Sequence, residues 1–243
     1  MSRTRLTLVA LLAVLVVGVV ASASATEPPK KCGGKVTATP AYCVEGLQLE
    51  NAKGEPIADK IEGTASVSVL KATIAMVTSE VECKKGQSKG TIKGGAAGTA
   101  GKSKIIETFE ECKLLQPANC KLSPEDEKEI ITAELVGTLE LASGKIEDRF
   151  APEGGFADIG IEGKESSCVI AEIGRPKTFE VIGSQVCSVD KASLEAETEA
   201  PTHQLACKVS GGSLKIGTNG AEMTSEAAIK LTTGKKWSIR EST

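Results

Sequence analysis

The pattern that most constrains the fold of this chain is a regular alternation of side chains between residues 131 and 141. One set consists of Ile131, Ala133, Leu135, Gly137, Leu139 and Leu141, and between them stand Thr132, Glu134, Val136, Thr138 and Glu140. A period of two is typical of a β-strand with one buried face. Helical periodicity is weak everywhere, and similar alternation occurs in residues 157–161, 179–187, 194–198 and 203–209. The sequence therefore predicts an all-β fold, an antiparallel sandwich or closed barrel of about 10 to 14 short strands.

Turn chemistry near the C-terminus predicts a meander of hairpins. Asn219-Gly220, between residues 214–217 and 221–224, matches a two-residue type I′ turn. Thr233-Gly234 then separates a strand predicted at 227–231 from one at 237–239. Residues 86–104 are rich in Gly, Lys, Ala and Thr and are predicted to form a flexible hairpin around Thr91-Ile92-Lys93, as a surface loop. Residues 123–129 begin like a helix, with a serine cap, a proline and early acids, but a solvated acidic loop fits them equally well.

Residues 1–25 have the three parts of a secretory signal peptide. Two arginines supply the positive start, Leu6–Val20 is an unbroken apolar run, and the small residues 21–25 offer cleavage sites. An uncleaved membrane anchor is the alternative, because the apolar run approaches the roughly 20 residues that span a bilayer. We expect cleavage, with residues 26–243 forming a single all-β domain that has no further membrane span.

A faint internal repeat leaves the organisation of this domain open. Cys83 is followed, after glycines, by Thr91-Ile92-Lys93-Gly94, much as Cys207 is followed by Leu214-Lys215-Ile216-Gly217. Two related half-units packed face to face would explain the similarity. Chance resemblance between hairpins is the alternative, because the chain shows no strict period.

Eight cysteines follow the signal segment and indicate a disulfide framework. An even number of cysteines in an exported chain is typical of disulfide bonding, whereas in the cytosol it would suggest metal or redox sites. Proximity favours Cys32 with Cys43, around a short segment that contains Pro40, and Cys112 with Cys120, around a loop that contains Pro117. The framework residues are Cys32, Cys43, Cys83, Cys112, Cys120, Cys168, Cys187 and Cys207.

Charge and aromatic content exclude several classes of partner. The formal net charge of the chain is −3, and loss of the two arginines of the signal makes it −5. A mildly acidic protein is not expected to bind nucleic acid. Aromatic residues are few, which argues against a stacking platform for sugars or bases. They are Tyr42, Phe109, Phe150, Phe156, Phe179 and Trp237.

No motif predicts a catalytic, cofactor or metal site. Residues 98–103 end like a phosphate-binding loop, but Ala96 stands where that motif needs glycine. His203 is the only histidine in the chain, and on an extended strand it would lie about 13 Å from Cys207, which excludes a local dyad. We therefore expect a structural histidine beside a disulfide, no bound cofactor and no metal.

Carboxylates are the remaining candidates for catalysis. Glu107, Glu110 and Glu111, or the run Glu125–Glu129, would supply paired acids for a hydrolase, yet nothing in the sequence singles out two of them. A calcium site in residues 125–127 lacks the ligand spacing of an EF-hand, and a solvated charged loop is the simpler interpretation.

A series of short motifs spans most of the mature chain. They are Val69-Leu70-Lys71-Ala72-Thr73, Val81-Glu82-Cys83-Lys84-Lys85, Gly90-Thr91-Ile92, Phe109 with Cys112 and Cys120, Leu135-Val136-Gly137-Thr138-Leu139, and Gly234-Lys235-Lys236-Trp237. This order resembles a large group of uncharacterised secreted proteins from soil actinobacteria and their relatives. The resemblance implies strands and disulfides but no known activity. Cys187 and Cys207 are less typical of the group than the other cysteines, which favours a bridge between them and leaves Cys83 for Cys168.

The lack of a catalytic constellation favours a non-catalytic function. We expect a secreted, extracellular or cell-wall-associated protein that acts as a binding or structural module for an unknown extracellular ligand or protein. A secreted hydrolase that uses paired carboxylates is one alternative, and an inhibitor of another secreted protein is the second.

Overall fold

A computed structural model describes residues 40–44, 47–48, 58–94, 100–124, 128–143, 145–164, 168–189, 202–207 and 212–241. The predicted signal segment lies outside them. The described residues form an all-β structure in which all paired strands are antiparallel, as the sequence predicts. The strands are β1 (Pro40–Val44), β2 (Leu47–Gln48), β3 (Ala58–Ala65), β4 (Ser68–Ile74), β5 (Val77–Lys93), β6 (Lys102–Gln116), β7 (Cys120–Leu122), β8 (Ile130–Ile131), β9 (Leu135–Ala142), β10 (Lys145–Pro152), β11 (Ala157–Gly163), β12 (Lys177–Ile182), β13 (Gln185–Val189), β14 (Thr202–Cys207), β15 (Lys215–Ile216), β16 (Asn219–Leu231) and β17 (Trp237–Glu241).

Eight strands close into a barrel that we call the first ring. Its neighbours in order are β3, β5, β6, β9, β10, β13, β14 and β16. The circle closes because β16 pairs with β14 on one side and with β3 on the other. Closure removes the exposed strand edges that an open sheet would present. Of the two architectures expected from the sequence, the first ring is the closed barrel.

A second ring continues beyond the first and shares its longest strands. Its members are β4, β5, β6, β8, β11, β12, β15 and β16, and a single bridge between Thr132 and Ala157 joins β8 to β11. Strands β5, β6 and β16 have 17, 15 and 13 residues and run through both rings. The rings are therefore stacked end to end, and each takes strands from both halves of the chain.

Aliphatic side chains fill both rings, with few aromatic residues among them. The first ring contains Ile92, Ile105, Phe150 and Ile229. The second ring contains Val81, Phe109, Phe156, Val181 and Met223. The buried hydrophobic residues of the two rings belong to one continuous core.

The alternation of buried and exposed side chains that the sequence predicts for residues 131–141 is observed over part of that range. Leu135 and Leu139 are buried, as expected. Ile131 and Leu141 are exposed, which corrects the expected inward face. Ile131 belongs to the separate short strand β8, and Leu141 is the residue before the last of β9.

The described part of residues 86–104 belongs to a hairpin of β5 and β6, but residues 91–93 lie within a strand and not in the flexible loop that the composition suggested. Residues 86–93 complete β5, residues 102–104 begin β6, and residues 95–99 lie outside the described part of the chain. A Cβ atom on Gly90 would lie 1.9 Å from the carbonyl oxygen of Lys104 on the neighbouring strand. Glycine is therefore required here by close backbone approach within a strand.

The predicted C-terminal meander is also corrected. The chain reverses at Gly217-Thr218, two residues before the predicted turn, and Gly217 has a φ of +61° that favours glycine. Residues 221–224 and 227–231, which we expected to be separate strands, both belong to β16. The two segments are continuous because β16 contributes to both rings.

The strands near the two ends of the described chain meet in a separate three-stranded sheet, which we call the terminal sheet. In it, β1 pairs with β17 on one side and with β2 on the other. Tyr42, Trp237 and Ile239 are buried and line the same cavity as Ile92 and Ile229 of the first ring. The terminal sheet therefore closes the interior of the first ring.

Candidate functional site

Three disulfides join described cysteines, and one of them is a predicted pair. Cys187 is bonded to Cys207 across β13 and β14, as expected. Cys83 is bonded to Cys112, because these residues stand directly opposite each other on β5 and β6 with their Cα atoms 3.9 Å apart. The predicted pairs that are wrong are Cys83 with Cys168 and Cys112 with Cys120.

Cys120 is bonded to Cys168, a residue 48 positions away in sequence. Cys120 begins β7 opposite Gly163 of β11, and the chain continues from β11 to Cys168. Strand pairing, not nearness along the chain, therefore decides this bridge. The bridge predicted between Cys32 and Cys43 cannot be placed, because residue 32 lies outside the described residues.

His203 is fully buried and packs against Trp237. The imidazole of His203 and the indole of Trp237 make an edge-to-face contact with centroids 4.4 Å apart. Nε2 of His203 lies 2.6 Å from the carbonyl oxygen of Trp237. Edge-to-face packing is a favourable arrangement for aromatic rings in a core. This residue connects β14 of the first ring to β17, which is a structural role of the kind expected from the sequence.

The segment that resembles a phosphate-binding loop leads into a strand. Lys102 and Ser103 are the first residues of β6, with Lys102 exposed and Ser103 buried. A phosphate-binding loop needs a helix N-terminus after the glycines, so this context does not fit the motif.

The acidic candidates Glu107, Glu110 and Glu111, which the structure describes, do not come together as a pair. Glu111 forms an ion pair with Lys85, and Glu110 accepts a hydrogen bond from Gln87, so both belong to the outer surface. The calcium-loop candidates, residues 125–127, lie outside the described part of the chain. Glu107 differs from them, because it lines the cavity inside the first ring and is half-buried.

An acidic residue that the sequence pattern alone did not single out lies at the centre of the first ring. Asp148 of β10 is buried, and its Oδ2 accepts a 2.7 Å hydrogen bond from the hydroxyl of Tyr42. Its other oxygen, Oδ1, has no hydrogen-bond partner among the described residues. A signal was present in the sequence, because Asp148 occupies the inward position between Ile146 and Phe150 on an alternating strand.

Burial changes the ionisation of this interior. Desolvation raises the pKa of Asp148 to about 7, although the hydrogen bond from Tyr42 opposes the rise. Desolvation also raises the pKa of Glu107 to about 7. Burial, together with the charge of Asp148, raises the pKa of Tyr42 well above its ordinary value. Two carboxyl groups inside the first ring therefore change charge near neutral pH.

The cavity between the terminal sheet and the wall of the first ring is too small for a substrate. Its volume is about 30 Å³, which is room for one or two water molecules. The cavity inside the second ring has the same size and an apolar lining that includes Leu70, Phe156 and Leu214. Neither interior offers a site where two carboxylates would flank a sugar or a peptide.

The end of the second ring that faces away from the first consists of short connections, which we call the outer loops. Val77 and Gln116 mark this end, because the other ends of their strands run into the first ring. The outer loops are residues 75–76, 117–119, 164–176 and 217–218, of which residues 165–167 are not described.

Half of the large apolar side chains that are exposed in the described part of the chain lie on or beside the outer loops. Their exposed fractions are 95% for Met76, 65% for Val169, 58% for Ile173 and 40% for Leu115. The remaining four are distributed over the walls of the rings or the break between β3 and β4. An exposed apolar side chain is ordinary by itself, but several on one surface indicate a contact site.

The outer loops are held in place by covalent and backbone geometry. The disulfide from Cys120 to Cys168 joins the loop at 117–119 to the loop at 164–176, immediately before Val169. Met76 has a φ of +66° in a two-residue hairpin turn. Glu172 and Arg175, which stand on either side of Ile173 in the same loop, form an exposed ion pair. Exposed apolar and charged side chains therefore occur together in this loop, as they do in protein interfaces.

Comparisons with protein-family models, curated proteins and solved structures find no match to this chain. Within the described ranges, no helix is long and apolar enough to cross a membrane. The same residues contain no group of three or more His, Cys, Asp or Glu side chains arranged to hold a metal ion. The function of this chain is therefore inferred from its own geometry.

Proposed function

We propose that this protein is a secreted, non-catalytic binding protein that contacts another extracellular protein through its outer loops. The observation that carries the proposal is the concentration of exposed apolar side chains at one end of a closed barrel, with Met76 almost fully exposed. Interfaces depend on a few anchoring side chains that enter pockets of the partner. Met76, Val169 and Ile173 are the anchors that this end provides.

Export of the protein is supported by two independent features. Residues 1–25 have the composition of a secretory signal, and three disulfides join described cysteines. Disulfides form and persist in oxidising compartments. The motifs shared with secreted actinobacterial proteins favour a bacterial source and the same location.

A rigid surface suits binding, because little conformational entropy is lost when it contacts a partner. The Cys120–Cys168 disulfide provides that rigidity by joining two outer loops. The small interior cavities and the surface positions of Glu110 and Glu111 give the alternative of a paired-acid hydrolase no support.

A photo-crosslinking amino acid at position 76 tests the proposal on the secreted protein. The protein is incubated with the medium and surface fraction of the producing cells, illuminated, and examined for adducts. We expect an adduct that excess wild-type protein abolishes and that the variant M76S/V169S/I173S does not. These serine substitutions preserve the disulfide framework and remove the apolar anchors.

The matched control uses exposed apolar residues on the walls of the rings. A crosslinker at position 106 should give no such adduct, and the variant I106S/L141S should compete as well as wild type. Equal adducts at positions 76 and 106, or full competition by the triple serine variant, would contradict binding through the outer loops.

A further inference from the structure

The contact between the terminal sheet and the first ring contains most of the unpaired polar groups in the described structure. Ser103 Oγ and Asp148 Oδ1 belong to the wall, Trp237 Nε1 belongs to the terminal sheet, and all three residues line the cavity between them. Ser79 Oγ and Ser238 Oγ, which are also unpaired among the described residues, lie elsewhere, because Ser79 belongs to the second ring and Ser238 alternates with the inward-facing Trp237 and Ile239 on β17. Buried polar groups are normally paired, and each unpaired one destabilises the folded state.

Apolar packing opposes this cost and keeps the sheet in place. Tyr42, Trp237 and Ile239 are each no more than 3% exposed. The tyrosine ring packs near the indole with centroids 6.1 Å apart, and the indole packs on His203. The closed arrangement is therefore a balance between apolar burial and unpaired polar groups.

Asp148 is the group in this contact whose charge can alter the balance. The ionisable side chains around it are Tyr42 from β1, Glu107 from β6, Glu140 from β9, Arg149 from β10 and His203 from β14. Arg149 pairs with Glu140, and His203 lies against Trp237. An ionised Asp148 therefore has Tyr42 as its hydrogen-bond donor, and Glu107 would add a like charge in the same cavity.

A buried carboxylate with one donor is costly, and water is the solvent that relieves it. The cavity of about 30 Å³ is too small to hold the water molecules that would hydrate the charge of Asp148. More water reaches this carboxylate only if the terminal sheet moves. The same movement would give water to Ser103 and Trp237, which line this cavity and have unpaired polar atoms. Ionisation and opening therefore favour each other.

We propose that the terminal sheet is a closure of the first ring that is latched at Asp148 and loosens when this carboxyl loses its proton. In the closed state the sheet covers the apolar interior formed by Ile61, Ile92 and Ile105. Loosening admits water to that interior without opening the strand pairs of either ring. The device acts near neutral pH, because burial raises the pKa of Asp148 to about 7.

Trp237 is the only tryptophan of the chain and reports directly on the closure. We would record its emission maximum and its quenching by acrylamide from pH 5 to pH 9, with far-UV circular dichroism to follow the rings. We expect a red shift and stronger quenching with a midpoint near pH 7, while the circular dichroism stays constant. Unchanged tryptophan signals across this range in the wild type would overturn the proposal.

Single substitutions assign the transition to Asp148. It should disappear in Asp148→Asn and remain in Glu107→Gln and in His203→Gln. In Tyr42→Phe its midpoint should move to lower pH, because loss of the hydrogen bond between Tyr42 and Asp148 destabilises the closed state. If Asp148→Asn does not fold, the direction in which Tyr42→Phe moves the pH midpoint decides whether Asp148 is responsible for the transition. A midpoint that stays in place, or a transition that is lost with Glu107 or His203 instead, would refute the latch.

Discussion

Tyr42 donates a 2.7 Å hydrogen bond to Asp148 across 106 positions of sequence, which connects the terminal sheet to the wall of the first ring. Each residue gives the other a partner in a place that water does not reach. The bond ties a strand near the start of the described chain to a barrel whose members continue to residue 231. The closure of the first ring is therefore a long-range tertiary feature.

The first prediction concerns this hydrogen bond. Tyr42→Phe should lower the free energy of unfolding by about 1–3 kcal/mol, because it leaves a buried carboxyl without its donor. The loss should be smaller at pH 8 than at pH 5, because the loosened terminal sheet already gives water to the ionised carboxylate. Urea unfolding at both pH values measures it, and an equal small loss at both would show that the bond contributes little.

The second prediction concerns the pH dependence of stability. The pKa of Asp148 is about 7 in the folded protein, well above the ordinary value of 3.8 that we assign to the unfolded chain, so the folded state binds the proton more tightly. Stability from this group is fully present below the unfolded pKa and is lost as pH rises through the folded pKa. Between about pH 4 and pH 7 the free energy of unfolding should fall by about 1.4 kcal/mol per pH unit for this group.

Glu107 should add to the same slope, because its pKa is also raised to about 7. Its contribution should be smaller than that of Asp148, since the side chain is half-buried and partly screened. Urea unfolding at several pH values compares wild type, Asp148→Asn and Glu107→Gln. Stability that rises from pH 4 to pH 7 in the wild type would contradict the expected direction of the slope.

The third prediction concerns the packing around Asp148. A Cβ atom on Gly137 would lie 2.0 Å from Ser103 Oγ and 2.7 Å from Asp148 Oδ1. Gly137→Ala should therefore destabilise the protein by about 1–3 kcal/mol through overpacking. Gly154→Ala is the matched control, because nothing lies within 4 Å of its Cβ position, and it should change stability by less than about 0.5 kcal/mol. If Gly137→Ala and Gly154→Ala lower the thermal unfolding temperature equally, the wall of the first ring accommodates the added methyl group at residue 137 without cost.

The fourth prediction concerns the disulfide that joins the outer loops. Replacing Cys120 and Cys168 together with alanine should cost about 4 kcal/mol, because the bridge closes a separation of 48 residues. It should also make the loop at 164–176 a site of proteolytic cleavage. Replacing Cys187 and Cys207, which are 20 residues apart on β13 and β14, should destabilise the protein without exposing that loop. Limited proteolysis with mass mapping separates the two results.

Local pattern was sufficient to predict the class of fold. A period of two in side-chain character persists wherever one face of a strand is buried, so Leu135 and Leu139 indicated an inward face correctly. The Cys187–Cys207 pair was also predicted correctly, and it joins neighbouring antiparallel strands. Such features depend on residues that are close in sequence or on a repeated local rule.

Features that depend on strand neighbours did not follow from the sequence. Gly90 reads as a loop former, yet it allows the close approach of β6. Cys120 lies near Cys112 along the chain, yet β7 pairs with β11 and brings Cys168 to it. Composition and spacing do not encode which strands become neighbours in a closed ring, because that choice is made by packing over the whole barrel.

The sequence by itself determined that the described chain is an antiparallel β-protein cross-linked by disulfides. The tertiary structure alone decided that β5, β6 and β16 pass through two stacked rings and that the outer loops share one end. It also decided that Asp148 lies under the terminal sheet with Tyr42 as its partner. The reason is that burial and charge pairing arise from contacts between distant residues, whereas alternation arises from the geometry of a single strand.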